Sequence, residues 1–225
     1  MQETNNRRRL IIKIFSTPVI IYITLLTIIA LTNIPLRLNP KGIMFPAMLG
    51  FSLGCIFFSF LWKLKVIYIA GHEFAHWIFA KLFRRETNGL EIKASSGGTM
   101  IHNPNIWILL APYFFPTYTV LWLLFMPILY LENIPPIADA IFFFILGVSV
   151  AYHTALTVYA LSFPQSDLEK YGKYYSIMLI IMMNFIIFYI AIVLINGTPG
   201  EIFSKWKGAF DQINLYFNRF GSYNN

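Results

Sequence analysis

Apolar runs of bilayer length constrain this chain more than any other feature. A hydrocarbon core about 30 Å thick is crossed by roughly 20 residues of helix rising 1.5 Å each. The 225-residue sequence holds five or six runs of that order, at 10–32, 43–62, 66–83, 106–131, 137–163 and 174–195. The third is shorter and interrupted by charge; the last three are plainly long enough to span. The first run follows Arg7-Arg8-Arg9. It is too long for a signal-peptide core and lacks an Ala-x-Ala exit, so it is expected to remain as an anchor.

Composition agrees. Hydrophobic residues make up 57% and charged residues 12%, against about 25% charged in a soluble domain, which excludes an ordinary cytosolic protein. The net charge of +7 fits loops facing an anionic membrane surface, and no basic stripe suggests nucleic acid. The single cysteine, Cys55, lies in an apolar stretch, so neither a disulfide framework nor a cysteine zinc cluster is available. The expected fold is an all-α polytopic membrane protein of five to six transmembrane or re-entrant helices. Residues 1–200 are expected to form one membrane-embedded domain and 201–225 an amphipathic tail.

One connection is long. Residues 84–105 carry Asn88-Gly89, the alternating Leu90-Glu91-Ile92-Lys93-Ala94, then Ser95-Ser96-Gly97-Gly98 and Thr99-Met100-Ile101, a pattern that predicts a small β-hairpin. In the tail, Phe203, Trp206, Phe210, Ile213, Phe217 and Phe220 recur three and four apart among Lys205, Lys207, Asp211, Gln212 and Asn218. That spacing predicts an amphipathic helix lying along the interface or, alternatively, binding a partner. If every run crosses, the 17 Lys and Arg divide nine inside to eight outside; if run 66–83 is re-entrant, the division is twelve to five. The positive-inside rule prefers the second, which puts the hairpin loop and the Ser166-Asp167 loop on the cytosolic side. Making run 43–62 the non-crossing one keeps this conclusion at ten to seven.

The chemistry is carried by Gly71-His72-Glu73-Phe74-Ala75-His76-Trp77, an HExxH sequence. Residues four apart share one helix face, so His72 and His76 can offer two imidazole nitrogens to one metal ion. Zinc suits imidazole, and the adjacent Glu73 can reach a zinc-bound water as general base for peptide hydrolysis. Random placement of four His and seven Glu in 225 residues yields only about 0.002 copies of this pattern. Ionisable groups inside an apolar helix also mark a functional site by default. The competing reading is a pair of hydrogen-bonded core histidines. A catalytic zinc usually keeps three protein ligands, and the candidates for the third are His102, Asp139, His153 and Asp167. Each has an ordinary alternative: an exposed loop residue for His102, a helix-dipole partner for Asp139, a packing or supporting role for His153, an N-cap for Asp167.

The motif in a membrane segment, the glycine pair Gly97-Gly98 in a strand-like loop after it, and an aspartate at the end of a later span resemble the site-2 protease family of intramembrane zinc metallopeptidases. The similarity covers roughly residues 66–184, and its specific part is HExxH. It implies zinc held by His72, His76 and an aspartate, by position Asp167, with His153 behind it. It further implies Glu73 as general base, Gly97 and Gly98 beside the bound substrate strand, a membrane protein or peptide as substrate, and a bacterial cell membrane as location. Ser166-Asp167-Leu168 departs from the family's Asn-Pro…Leu-Asp-Gly context and is closer to divergent bacterial branches. No PDZ-like insertion interrupts the last three spans. A substrate helix must be unwound before cleavage, and a strand edge within 90–101 can hold the unwound segment by β-augmentation. The alternative functions are a non-proteolytic membrane protein using HExxH for metal binding, sensing or transport, and a catalytically silent scaffold.

Overall fold

The computed structural model describes residues 2–34, 42, 44–61, 65–89, 91–92, 97–127, 135, 137–195 and 199–222. They form nine helices and one short ladder: α1 Gln2–Thr32, α2 Met44–Leu61, α3 Lys65–Leu82, β1 Glu91–Ile92, β2 Gly97–Gly98, α4 Ile106–Phe114, α5 Thr117–Leu123, α6 Ile137–Leu161, α7 Ser166–Glu169, α8 Lys173–Ile195 and α9 Ile202–Ser222. The apolar segments are helical because a helix satisfies its own backbone, which an apolar solvent requires. Among the described residues, α1, α6 and α8 contain stretches long and apolar enough to cross a membrane, and α4 with α5 makes a fourth if the bent pair is one span. Large apolar side chains stand outward along these helices, Phe15 at 74% exposure, which water would penalise and lipid does not. The chain is a helical membrane protein.

The run 106–131, expected as one unbroken span, is broken. α4 and α5 meet at a 71° bend. Pro116 lacks the N–H that would continue the ladder, and a residue before proline avoids the helical region. Phe115 accordingly has φ −87° and ψ 108°.

Two compact units can be distinguished, residues 1–37 with 173–225, and residues 38–172. In the first, α1, α8 and α9 share a core of Leu26, Ala30, Ile34, Tyr189, Val193 and Ala209, against which Ile202, Trp206 and Ile213 pack. The apolar stripe of α9 is therefore divided. One arc is packed, whereas Phe203 is 82% exposed and Phe210 is also outward.

In the second unit, α2 crosses α6 with backbones in near contact. A Cβ at Gly147 would overlap the carbonyl oxygen of Ala47, and one at Gly50 that of Phe144. Gly50 and Gly54 form the small-xxx-small spacing that permits such approach between apolar helices. Against α3 lies α4, joined by the contact of His76 Nδ1 with the Ile108 carbonyl and by the edge-on rings of Phe79 and Phe114. The arms after α3 pair antiparallel, Glu91 opposite Gly98 and Ile92 opposite Gly97, with an isolated bridge between Thr87 and Ile101. Residues 93–96 of the expected hairpin lie outside the described residues.

Candidate metal centre

α3 is continuous through Gly71–Trp77, so His72 and His76 lie one turn apart on one face,. Their rings are perpendicular at 85°, with centroids 4.8 Å apart. Asp167 reaches them from α7, a single helical turn. Its N-cap position is taken by Gln165, so Asp167 is the second helical residue and its side chain is free to turn inward. Its Oδ2 lies 3.6 Å from His72 Nε2 and 3.4 Å from His76 Nε2. One ligand atom from each of the three residues lies within 4.8 Å of the other two.

The two separations from Asp167 suit a shared cation. Bonds of about 2.0–2.2 Å at tetrahedral angles put two ligands of one zinc about 3.3–3.6 Å apart. A direct imidazolium–carboxylate hydrogen bond would close to about 2.7–2.9 Å. Burial would by itself push the Asp167 carboxyl up; the two imidazoles beside it outweigh that and hold it well below the usual carboxylate range. It is therefore a carboxylate, as a ligand must be.

The orientation of His76 has a legible cause. Its Nδ1 lies 2.8 Å from the carbonyl oxygen of Ile108, a contact in which only Nδ1–H can donate. In the neutral ring this leaves Nε2, which is directed at Asp167, as the nitrogen with the lone pair a metal would use. In a regular helix that carbonyl would accept the N–H of the residue four positions on. Here that residue is Pro112, inside α4, which has no N–H. The proline leaves the Ile108 carbonyl available, and buried His76 takes it.

Three supporting groups carry no local sequence signal for this role. Tyr113, 1% exposed, donates from its hydroxyl to Asp167 Oδ2 at 3.2 Å, and its ring meets His72 edge-on at 5.5 Å. A tyrosine inside an apolar run needs a partner for its hydroxyl, the one hint available. The Ile108 carbonyl is the second. Thr99 is the third: its Oγ1 donates to the Glu73 carbonyl at 3.2 Å and so ties the strand arm to α3 at the acidic residue. Glu73 itself is half-buried and lies near enough to His76, Tyr68 and Tyr113 for its charge to act on each.

The other candidates do not join the cluster. His102 is exposed and accepts at Nε2 from Asn103 Nδ2 at 3.0 Å. Asp139 is exposed in the first turn of α6. His153 borders a cavity next to His72 but is outside the converging set. Gly97 and Gly98 form β2, and the space where a Cβ of Gly98 would stand is open. No protein-family model, curated relative or solved structure matches the chain, so the centre is characterised by its own side chains.

Proposed function

We propose that the chain is a membrane-embedded zinc metallopeptidase, similar to the site-2 proteases, that hydrolyses peptide bonds of membrane proteins or peptides in or near the bilayer. The observation that supports it is the convergence of His72, His76 and Asp167, with His76 oriented by the contact of its Nδ1 with the Ile108 carbonyl. Zinc bound there supplies Lewis acidity, polarising the scissile carbonyl and acidifying water. Glu73, beside His72 in sequence, takes a proton from the attacking water and returns it to the leaving amine. Tyr113 fixes the Asp167 carboxylate through its hydroxyl. The arms ending at β1 and β2 are the stem of a hairpin whose edge holds the unwound substrate by main-chain bonds. Gly98 gives the substrate backbone room for close approach,. In this reading α2 and α3 complete five to six transmembrane or re-entrant segments.

The test uses the full chain in lipid nanodiscs with a co-reconstituted single-span substrate. The wild type contains one zinc per chain and cleaves. Glu73→Gln keeps the zinc and loses cleavage, while Asp167→Ala loses both. Cleavage by Glu73→Gln at the wild-type rate, or a wild type that binds no zinc, refutes the proposal.

A further inference from the structure

α4 and α5 pack against both α3 and α6, and a half-open cavity of about 30 Å3 lies among these helices beside the metal centre. Tyr68 and His72 of α3 line it from one side and Leu156 and Ala160 of α6 from another, with Tyr113 and Tyr118 contributed by the α4–α5 break. Hydrogen bonds fix these pieces to one another. Tyr118 donates to the Ile67 carbonyl, Thr117 to the Gly71 carbonyl, and Thr157 on α6 to the Tyr113 carbonyl. Gly71 lets the Tyr118 ring close on α3, since a Cβ there would stand 2.7 Å from it. The cavity is therefore a preformed recess with a mostly apolar, aromatic lining, which is the character of a ligand pocket.

We infer that this recess is a subsite for one small apolar side chain of a peptide substrate, next to the bond that is cut. Its placement beside a cut bond rests on the peptidase reading; the fit of the side chain does not. His72 and Tyr113 belong both to the recess and to the centre. Successive Cα atoms of a peptide are about 3.8 Å apart, so a residue flanking a bond held at the centre is near enough to place its side chain in the recess. Size sets the selectivity. At about 10–15 Å3 for each water-sized group, the recess admits two or three such groups. The side chains of alanine and valine fit; the ring of phenylalanine does not. A charged side chain is rejected as well, because the lining offers it too little in exchange for water.

The experiment uses the full chain in nanodiscs with a single-span substrate in which the residue on either side of the scissile bond is varied in turn through Gly, Ala, Val and Phe. At one of the two positions kcat/KM should rise about fourfold for each carbon buried, Gly below Ala below Val, and should fall about tenfold or more from Val to Phe. Leu156→Ala enlarges the recess and should narrow that Val-to-Phe ratio about tenfold. Both rates come from one preparation, so any loss of folded chain cancels. Binding is read separately, by energy transfer between the Glu73→Gln chain and the same substrates, and should follow the same order. Equal rates for Val and Phe at both positions, or a ratio that Leu156→Ala leaves unchanged, overturns the subsite and leaves the peptidase reading standing. Binding in the expected order by a chain whose wild type cleaves nothing supports the subsite and refutes the peptidase reading; neither cleavage nor that order refutes both.

Discussion

Tyr113→Phe isolates how much the centre owes to one hydroxyl. The substitution removes the donor to Asp167 Oδ2 and keeps the ring, so the edge contact with His72 at 5.5 Å persists. A hydrogen bond to a charged acceptor contributes about 1.5–3 kcal/mol. At 3.2 Å the bond is longer than the usual 2.5–3.0 Å for O–H···O,, so the lower end applies, about 1.5 kcal/mol. Each 1.4 kcal/mol is a factor of ten. Zinc affinity should therefore fall about tenfold, at the low end of the 10–100-fold lost when groups that orient metal ligands are removed. Competition against a chromophoric chelator, with the nanodisc-embedded chain at matched folded fraction by circular dichroism, measures it. Affinity within about twofold of wild type would show that Asp167 is positioned by α7 alone and would refute the reasoning.

Two further perturbations test the scaffold and the strand arm. Gly147→Ala places a methyl against the Ala47 carbonyl and should destabilise the α2–α6 crossing by about 1–3 kcal/mol, read as a lower unfolding midpoint in mixed micelles; an unchanged midpoint contradicts the close crossing. Thr99→Pro removes a backbone donor from the edge together with the bond to the Glu73 carbonyl, and Thr99→Val removes that bond alone. Cleavage of helical substrates should fall further in the proline variant, and equal rates in the two would remove the edge from the mechanism.

Legibility in the sequence follows how local each determinant is. The HExxH pair is set by a spacing of four on one helix, and the structure keeps it on one face of α3. Hydropathy marked the long helices, because it sums over the same residues that lipid contacts. It is blind to a missing N–H, so run 106–131 looked continuous although Pro116 ends the ladder at a 71° bend. The tail shows the same limit. Spacing gave a helix with a broad apolar stripe, yet which arc packs is decided by Tyr189 and Val193 on α8, leaving Phe203 outward. Asp167 carries the strongest ambiguity, since by local rules an Asp at a helix start is a cap. Its inward turn depends on imidazoles far away in the chain and on a Gln at the cap position.

Pro112 joins a local rule to the distant site, and Pro112→Ala tests the connection. The proline costs α4 an internal hydrogen bond and strains the turn around Ile108, by about 3 kcal/mol in an ordinary helix interior. Alanine restores an N–H that competes with His76 Nδ1 for the Ile108 carbonyl, the acceptor now bonded at 2.8 Å. If the proline served only the shape of the helix, the variant would become more stable and bind zinc unchanged. If it serves the centre, the two observables move in opposite directions. Thermal stability of the metal-free chain rises, while zinc affinity falls by up to about tenfold as His76 loses the bond that orients it. A chelator titration and a melting curve on the same preparation give both signs. Zinc affinity that stays level or rises with stability would show that His76 is oriented by packing alone.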